Sequence, residues 1–237
     1  MILMNHAMMG AAGQVAGGAG GQQFFYDFES DALGAIPSYL TRRWEPSDEE
    51  DGVIERSTVS DLSAAFGNQV FRYSAPGNSY QRSVYEFNEA YGTEADKIQA
   101  LVYKNNSNRS IPLLVLRGSG EGSPTGYLAL IRSDTANFAI RKAVAGAETT
   151  LATGTMGWGS APRVVAFSAT MAGGHLELEF SQYNPDNLSD STTITYTDTD
   201  PLPVGFVGIG AMEYSTNFYW GHVGIGLNGA SAPMEPI

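Results

Sequence analysis

The sequence predicts an all-β fold, an antiparallel β-sandwich or jelly roll, and three observations support this prediction. About a dozen short segments alternate between apolar and polar residues, which is typical of strands with one face in a core and one in water. The 28 glycines and 11 prolines favour short strands joined by frequent turns. The sequence contains no heptad pattern of apolar residues, so no long helix is predicted. At 237 residues, the chain is long enough to bury a substantial core.

The clearest predicted element is a hairpin over residues 163–180. Apolar residues occupy every second position of its two halves, namely Val165, Phe167, Ala169, Met171, Leu176, Leu178 and Phe180. Gly173 and Gly174 separate the halves and supply the positive φ angles of a tight turn. We expect the second strand to turn Glu177 and Glu179 to water, as in an antiparallel sheet with one solvated face.

The remaining strands are predicted from the same alternation and from the turn residues between them. They cover residues 24–28, 53–56, 69–73, 83–87, 98–103, 113–116, 127–132, 138–142, 194–197, 204–209 and 218–225. Gly34 and Pro37 end the first of these strands, and Pro112, which cannot donate to a ladder, marks a strand start or a sheet edge. Polar loops are predicted at 105–110 and 184–190.

The charge and the cysteine content exclude several classes of protein. The formal net charge of −12 and the pI of about 4.5 disfavour contact with nucleic acid or an anionic membrane, because both present negative surfaces. The absence of cysteine excludes disulfides, thiol catalysis and Cys-ligated metal. No window reaches the roughly 18 apolar residues of a membrane-spanning helix. We therefore expect neither nucleic acid nor a membrane as a partner.

Composition divides the chain into an arm at 1–23, a sandwich at 24–230 and a tail at 231–237. The arm is rich in Gly, Ala and Met, and it lacks the basic start and unbroken apolar run of a signal peptide. Such a segment is flexible by itself, so we expect it to become ordered against another subunit of a homo-oligomer or larger assembly. The side chains expected to make those contacts are Ile2, Leu3, Met4, Met8 and Met9.

The order of aromatic and glycine-rich segments resembles a known family of modules. The run Phe25-Tyr26-Asp27-Phe28, followed by Gly34, Pro37 and Trp44, is similar to the opening of concanavalin A-like and laminin-G-like jelly-roll modules. Three further segments continue the resemblance, at 126–130, 138–142 and 205–210. The resemblance covers residues 24–230 and implies a concanavalin A-like jelly roll, a fold that hosts lectins, glucanases and structural modules.

The end of the chain resembles a narrower group. Residues 220–233, WGHVGIGLNGASAP, look like the closing strand of such modules in the virion proteins of tailed bacteriophages. This resemblance implies a structural virion protein, a capsid decoration (cement) or tail-associated protein, attached to other virion proteins through the arm and the sandwich edges. It also implies a location in the virion, assembled in the bacterial host cytoplasm, and no enzymatic activity. The alternative is a carbohydrate-binding module that contacts host-surface glycans, and the third hypothesis is a glycoside hydrolase.

The same family resemblance predicts how the sandwich is closed. In modules of this kind the first and last strands pair with each other. We therefore expect residues 24–28 to lie beside residues 219–225 in one sheet.

Paired carboxylates are the feature on which the hydrolase hypothesis depends. Glucanases of this fold place their acids on one strand face in a pattern like E-x-D-x-x-E, and Glu177-Leu178-Glu179 is the nearest match. Ser181 and Gln182 stand where the pattern's third acid is required. We therefore interpret the two glutamates as a solvated strand face, and we predict no catalytic residue.

Metal ligands are few in the sequence. His6, His175 and His222 lack the spacing of a metal site and are interpreted as surface or interface residues. Asp198 and Asp200, or alternatively Asp186 and Asp190, are candidate Ca²⁺ ligands at a rim of the sandwich, because Ca²⁺ binds hard oxygen ligands and laminin-G-like modules often bind it there. An Asx turn explains the same residues without a metal. No cofactor is predicted apart from this possible Ca²⁺ site.

Aromatic residues are the candidates for contact with a glycan. Trp44, Tyr219 and Trp220 would offer ring faces to a sugar if they lie at the surface. Packing in the core is the competing interpretation for each of them.

Overall fold

The structure is a computed structural model that describes most of the chain. It describes residues 13–16, 21–44, 53–56, 67–73, 79–91, 95–104, 111–121, 123–132, 137–155, 162–214 and 218–234. These residues form an antiparallel β-sandwich, as the sequence predicted. Within them, no helix is long and apolar enough to cross a membrane.

Sixteen strands lie in the described residues. They are β1 Gly13–Ala16, β2 Gln22–Tyr26, β3 Leu40–Trp44, β4 Val53–Arg56, β5 Gln69–Tyr73, β6 Ser79–Tyr91, β7 Ala95–Lys104, β8 Ile111–Ser119, β9 Thr125–Arg132, β10 Asn137–Val144, β11 Ala147–Thr155, β12 Arg163–Ala172, β13 His175–Asn184, β14 Asn187–Asp198, β15 Phe206–Tyr214 and β16 Phe218–Leu227. The sequence did not predict β1, β3 or β11. The loop predicted at 184–190 is wrong, since a tight turn joins β13 directly to β14 there. The other predicted loop, 105–110, lies outside the described residues.

The strands form two antiparallel sheets that pack face to face. The nine-stranded sheet has the order β1-β2-β16-β7-β12-β13-β14, with β5 pairing one end of β16 and β4 pairing β5. The seven-stranded sheet has the order β11-β10-β9-β8-β15-β6-β3. Each sheet has an inner face, which meets the other sheet, and an outer face.

The first predicted strand pairs with the last, as expected. Tyr26 of β2 lies opposite Val223 of β16, and Phe24 lies opposite Ile225, within the nine-stranded sheet.

The predicted arm boundary needs correction. β2 begins at Gln22, and Gly13–Ala16 pairs with β2 as an additional strand, so part of the predicted arm belongs to the sheet. The reason is physical: β2 would otherwise leave a row of backbone donors and acceptors without partners. The five apolar residues expected to make assembly contacts, Ile2, Leu3, Met4, Met8 and Met9, lie outside the described residues.

The predicted hairpin is confirmed as β12 and β13. Ala172 lies opposite His175, and the two residues between them, Gly173 and Gly174, have φ angles of 57° and 86°. Two positive φ angles in a two-residue loop match the twist of the flanking strands. β13 alternates as predicted, with Glu177 and Glu179 exposed and the apolar residues between them buried.

The inner faces of the two sheets form the main core, but the expectation that outer faces meet water is wrong for several strands. All ten residues of β16 are buried, and eight of the nine positions of β8 are buried. A second apolar cluster lies on the outer face of the seven-stranded sheet and includes Leu113, Val115, Leu128 and Leu130. Because these strands carry apolar residues on both faces, burial of both faces is favourable.

The C-terminal segment at 229–234, here called the strap, folds back over the outer face of the nine-stranded sheet. Ala230 donates its backbone N–H to the carbonyl oxygen of Leu227 at 3.1 Å, which turns the chain after β16. The side-chain amide of Gln23 then donates to the backbone oxygen of Ser231 at 2.6 Å and to its hydroxyl at 2.7 Å. The part of the predicted tail that the structure describes, 231–234, therefore packs on the sandwich.

The two faces of β13 should differ sharply in their contribution to stability. Phe180→Ala removes a fully buried ring and should lower the free energy of unfolding by about 3–5 kcal/mol. The double change Glu177→Gln with Glu179→Gln, on the exposed face of the same strand, should change it by less than about 0.5 kcal/mol. Urea unfolding of both variants measures the difference. A loss of several kcal/mol in the glutamate variant would contradict the assignment of the two faces.

Candidate functional site

Three tyrosines lie on the outer face of the nine-stranded sheet, on three different strands. Tyr103 of β7 lies opposite Tyr219 of β16, and their rings are nearly parallel, with centroids 6.1 Å apart. Tyr183 of β13 lies two strands beyond β7 on the same face. Tyr103 and Tyr183 are partly exposed, whereas Tyr219 is 8% exposed. We call Tyr103, Tyr183 and Tyr219 the outer tyrosine patch.

Buried apolar side chains form the floor between these rings. Val164 of β12 lies opposite Leu101 on one side and opposite Tyr183 on the other. Val70 of β5 belongs to the same cluster, and Met234 of the strap packs against it. The partly exposed rings therefore rest on a continuous apolar surface.

A neutral amide lies beside the rings. Gln99 of β7 donates its side-chain N–H to the hydroxyl oxygen of Tyr183 at 3.3 Å. Burial raises the pKa of Tyr183, and the hydrogen bond from Gln99 offsets part of that effect, so the hydroxyl is protonated at neutral pH. Ring faces combined with a neutral amide and a hydroxyl can contact a ligand that has both apolar and hydrogen-bonding groups.

The structure places the three predicted glycan contacts differently. Tyr219 belongs to the outer tyrosine patch, but Trp220 faces the core and is fully buried. Trp44 is also buried, and its indole N–H donates to the backbone oxygens of Ser119 and Gly120 at 3.3 and 2.9 Å. Of the two interpretations of these tryptophans, packing in the core is therefore the correct one, and neither ring is available to a sugar.

Sequence reasoning missed Tyr103 and Tyr183. Each tyrosine alternates with an inward-facing residue of its strand, so a partly exposed position could have been inferred from the period. Their convergence could not be inferred, because it depends on the order β16-β7-β12-β13 in the sheet.

The candidate Ca²⁺ ligand Asp198 has protein partners instead. One carboxylate oxygen accepts the hydroxyl of Tyr127 at 2.5 Å and pairs with the Lys142 ammonium at 2.8 Å. The other accepts the backbone N–H of Asp200 at 3.0 Å, which is the Asx turn that the sequence also allowed. The described residues contain no group of three His, Cys, Asp or Glu side chains that could hold a metal ion. The Ca²⁺ interpretation is therefore not supported at Asp198, and Asp200 is exposed beside it.

These partners also determine the ionisation of Asp198. Burial alone would raise the pKa of this carboxyl, but the hydrogen bonds from Lys142, Tyr127 and the Asp200 N–H, together with the charge of Lys142, hold its pKa below the ordinary value. The carboxylate is therefore charged at neutral pH and fixes the end of β14 against β9 and β10.

The two glutamates of β13 lie on an open strand face. Glu177 faces Thr170 and Thr197 across the neighbouring strands, and both glutamates are exposed. This agrees with the solvated interpretation.

His222 corrects the expectation for the histidines. His175 is exposed, as predicted, and His6 lies outside the described residues. His222 is buried on the outer face of β16, with its ring centroid 5.6 Å from that of Phe25. Burial lowers the pKa of His222 to about 4, so its imidazole is neutral at pH 7.

The sequence did not reveal a buried carboxylate near the start of β7, at the end of that strand away from Tyr103. Asp96 of β7 is 1% exposed, and neither of its carboxylate oxygens accepts a hydrogen bond from the described residues. Arg117 of β8 is also buried and donates to the backbone oxygen of Leu202 at 2.7 Å. Burial raises the pKa of Asp96 to about 6, and the positive charge of Arg117 offsets part of that effect.

Asp96→Asn should stabilise the protein at neutral pH. The folded-state pKa of about 6 lies above the ordinary value of 3.8, so the folded state binds this proton more tightly than the unfolded state. The ionised carboxylate therefore destabilises the fold increasingly between about pH 4 and pH 6. The difference in unfolding free energy between the variant and the unchanged protein should therefore grow by about 3 kcal/mol from about pH 4 to about pH 7. Chemical denaturation at these two pH values measures the gain, and an equal difference at both would contradict it.

Comparisons with known proteins support the fold. Comparison of the sequence with protein-family models and with curated proteins gives no match. Arcelin-5, a lectin-like defense protein from Phaseolus vulgaris, has a similar structure, with a TM-score of 0.53, 7% identity, and coverage of 88% of this chain and 98% of that one. The lectin UEA-II complexed with galactose is similar at a TM-score of 0.51 and 9% identity, with 90% and 100% of the chains covered.

A third similar structure comes from a phage protein. It is the CBM2 module of Lactobacillus casei BL23 phage J-1 evolved Dit, with a TM-score of 0.52, 12% identity, and coverage of 87% of this chain and 95% of that one. At these identities the likeness shows the fold alone. The fold is a jelly-roll β-sandwich of the concanavalin A-like kind, as the sequence resemblance implied.

Proposed function

We propose that this protein is a carbohydrate-binding module that contacts neutral glycans through the outer tyrosine patch. The observation that carries the proposal is the arrangement of the patch. The partly exposed rings of Tyr103 and Tyr183 flank a buried apolar floor, and the Gln99 amide lies beside them.

The chemistry of a sugar fits these groups. A pyranose ring presents an apolar C–H face, which gains from burial against an aromatic ring, and a rim of hydroxyl groups, which need hydrogen-bond partners. The Gln99 amide and the Tyr183 hydroxyl provide such partners without an ionic charge. The net charge of −12 disfavours glycans rich in carboxylate or sulfate groups, so we propose neutral glycans.

The similar structures support this function more than the virion interpretation that the end of the sequence favoured. Two of the three are described as a lectin complexed with galactose and a lectin-like protein, and the third as a CBM2 module. Catalysis is not part of the proposal, because Glu177 and Glu179 lie on an open, exposed strand face.

Loss of either partly exposed ring of the patch should weaken glycan binding without unfolding the protein. Tyr103→Ala and Tyr183→Ala should each weaken binding by about 2 kcal/mol, or about thirtyfold, because partly exposed aromatic anchors contribute this much to many interfaces. Isothermal titration with cellohexaose, laminarihexaose and lactose measures the change. Leu188→Ala, which truncates an exposed apolar side chain of β14 outside the patch, is the matched control and should bind normally.

The three probes also test the proposal as a whole. If the unchanged protein binds none of them, or if both tyrosine variants bind as well as it does, the assignment of the patch is wrong. Turnover of either β-glucan that is lost in Glu177→Gln would instead favour the hydrolase hypothesis.

Attachment to a phage particle is a second candidate function, and it is compatible with the first. The similarity to a module of a phage J-1 protein favours it. In this proposal the protein assembles with other virion proteins in the bacterial host cytoplasm, as a homo-oligomer held through residues 1–12. The patch would then contact glycans of the host surface.

Deletion of residues 1–12 tests the attachment. The deletion retains β1, so the sandwich should unfold at a temperature within a few degrees of the full chain. It should no longer form an oligomer or co-sediment with the virion proteins, because the deletion removes the apolar side chains to which the sequence analysis assigns the assembly contacts. Analytical ultracentrifugation and co-sedimentation measure both effects. Incorporation at the level of the full chain would contradict this role.

A further inference from the structure

The strap lies in direct backbone contact with two glycines of β16. A Cβ atom at Gly224 would lie 1.7 Å from the carbonyl oxygen of Pro233, and one at Gly226 would lie 2.2 Å from that of Ala230. Neither position tolerates a side chain while the strap is in place, because real Cβ atoms do not approach other atoms so closely. The glycines of the segment Gly224-Ile225-Gly226 are therefore required by the strap.

The strap is a fixed part of the sandwich. The Gln23 amide makes two short hydrogen bonds to Ser231, and Ala232 is buried. Close backbone packing of this kind is specific, since a shift of the strap by one residue would lose both glycine contacts and both hydrogen bonds.

The strap ends at the outer tyrosine patch. Met234 is partly exposed and packs against the buried cluster of Val70, Leu101, Val164 and Tyr219, the same cluster on which Tyr103 and Tyr183 rest. A ligand lying on these rings would meet the Met234 side chain at the side of the strap. The thioether is flexible and polarisable, so it can adapt to an apolar C–H face.

We infer that Met234 is an additional ligand-contact residue of the patch and that Gly224, Gly226 and Gln23 are positioning residues that hold it there. This inference rests on the proposed function. The strap then forms one side of the binding surface. The specificity of that surface therefore depends on the strap as well as on the tyrosines.

The test compares variants of the full chain by isothermal titration with cellohexaose, laminarihexaose and lactose. Met234→Ala should weaken binding of the best of these probes by about tenfold, and Met234→Leu should restore most of the loss. Gly224→Ala, which leaves the patch side chains unchanged, should weaken binding to a similar extent because the strap can no longer lie on β16. Gln23→Ala should weaken binding, while Gln22→Ala, at the exposed neighbouring position, should not.

Thermal unfolding of the same variants separates positioning from general stability. The inference predicts that Met234→Ala binds weakly while its unfolding temperature stays close to that of the unchanged protein. If Met234→Ala binds normally and Tyr103→Ala does not, the inference about the strap is wrong and the proposed function stands. If the unchanged protein binds no probe, both are wrong.

Discussion

The burial of β16 on both faces is the constraint on which the rest of the structure depends. Its inner face supplies Trp220 and Ile225 to the core between the sheets. Its outer face carries Tyr219 at one end and Gly224 and Gly226 at the other, so the same strand supports the outer tyrosine patch and the strap. β16 also pairs with β2, β5 and β7, and it therefore connects both halves of the nine-stranded sheet. A change in its register would disturb the core and the candidate site together.

The sequence predicted the fold where one physical signal dominated. Alternation with an intervening Gly-Gly turn identified β12 and β13, and the resemblance placed residues 24–28 beside the last strand. The same reasoning failed where strands are apolar on both faces, because alternation then no longer separates the inner from the outer face. For Trp44 the sequence left contact with a sugar and packing in the core both open; the structure buries the ring, and its indole N–H donates to backbone oxygens at the end of β8 and in the loop that follows.

Two buried aspartates show why the electrostatics could not be read from the sequence. Asp198 and Asp96 are both buried, and burial raises the pKa of each. Asp198 also receives hydrogen bonds that help to hold its pKa below the ordinary value, whereas Asp96 accepts no hydrogen bond from the described residues and the charge of Arg117 offsets only part of its burial. The difference arises from contacts between strands far apart in the chain. Asp198 was a candidate metal ligand in the sequence because its pairing with Tyr127 and Lys142 depends on the fold.

The arrangement of the outer tyrosine patch favours binding over catalysis. Its members are aromatic and apolar, its hydrogen-bonding groups are the neutral Gln99 amide and the Tyr183 hydroxyl, and the carboxylates of Glu177 and Glu179 are exposed on β13. Glycosidic hydrolysis needs a pair of carboxylates on either side of the bond, one of them with a raised pKa. A surface that combines ring faces with neutral donors and acceptors can hold a sugar, but it supplies no proton and no nucleophile. The same β-sandwich can therefore serve recognition, because function depends on the groups that the outer face presents.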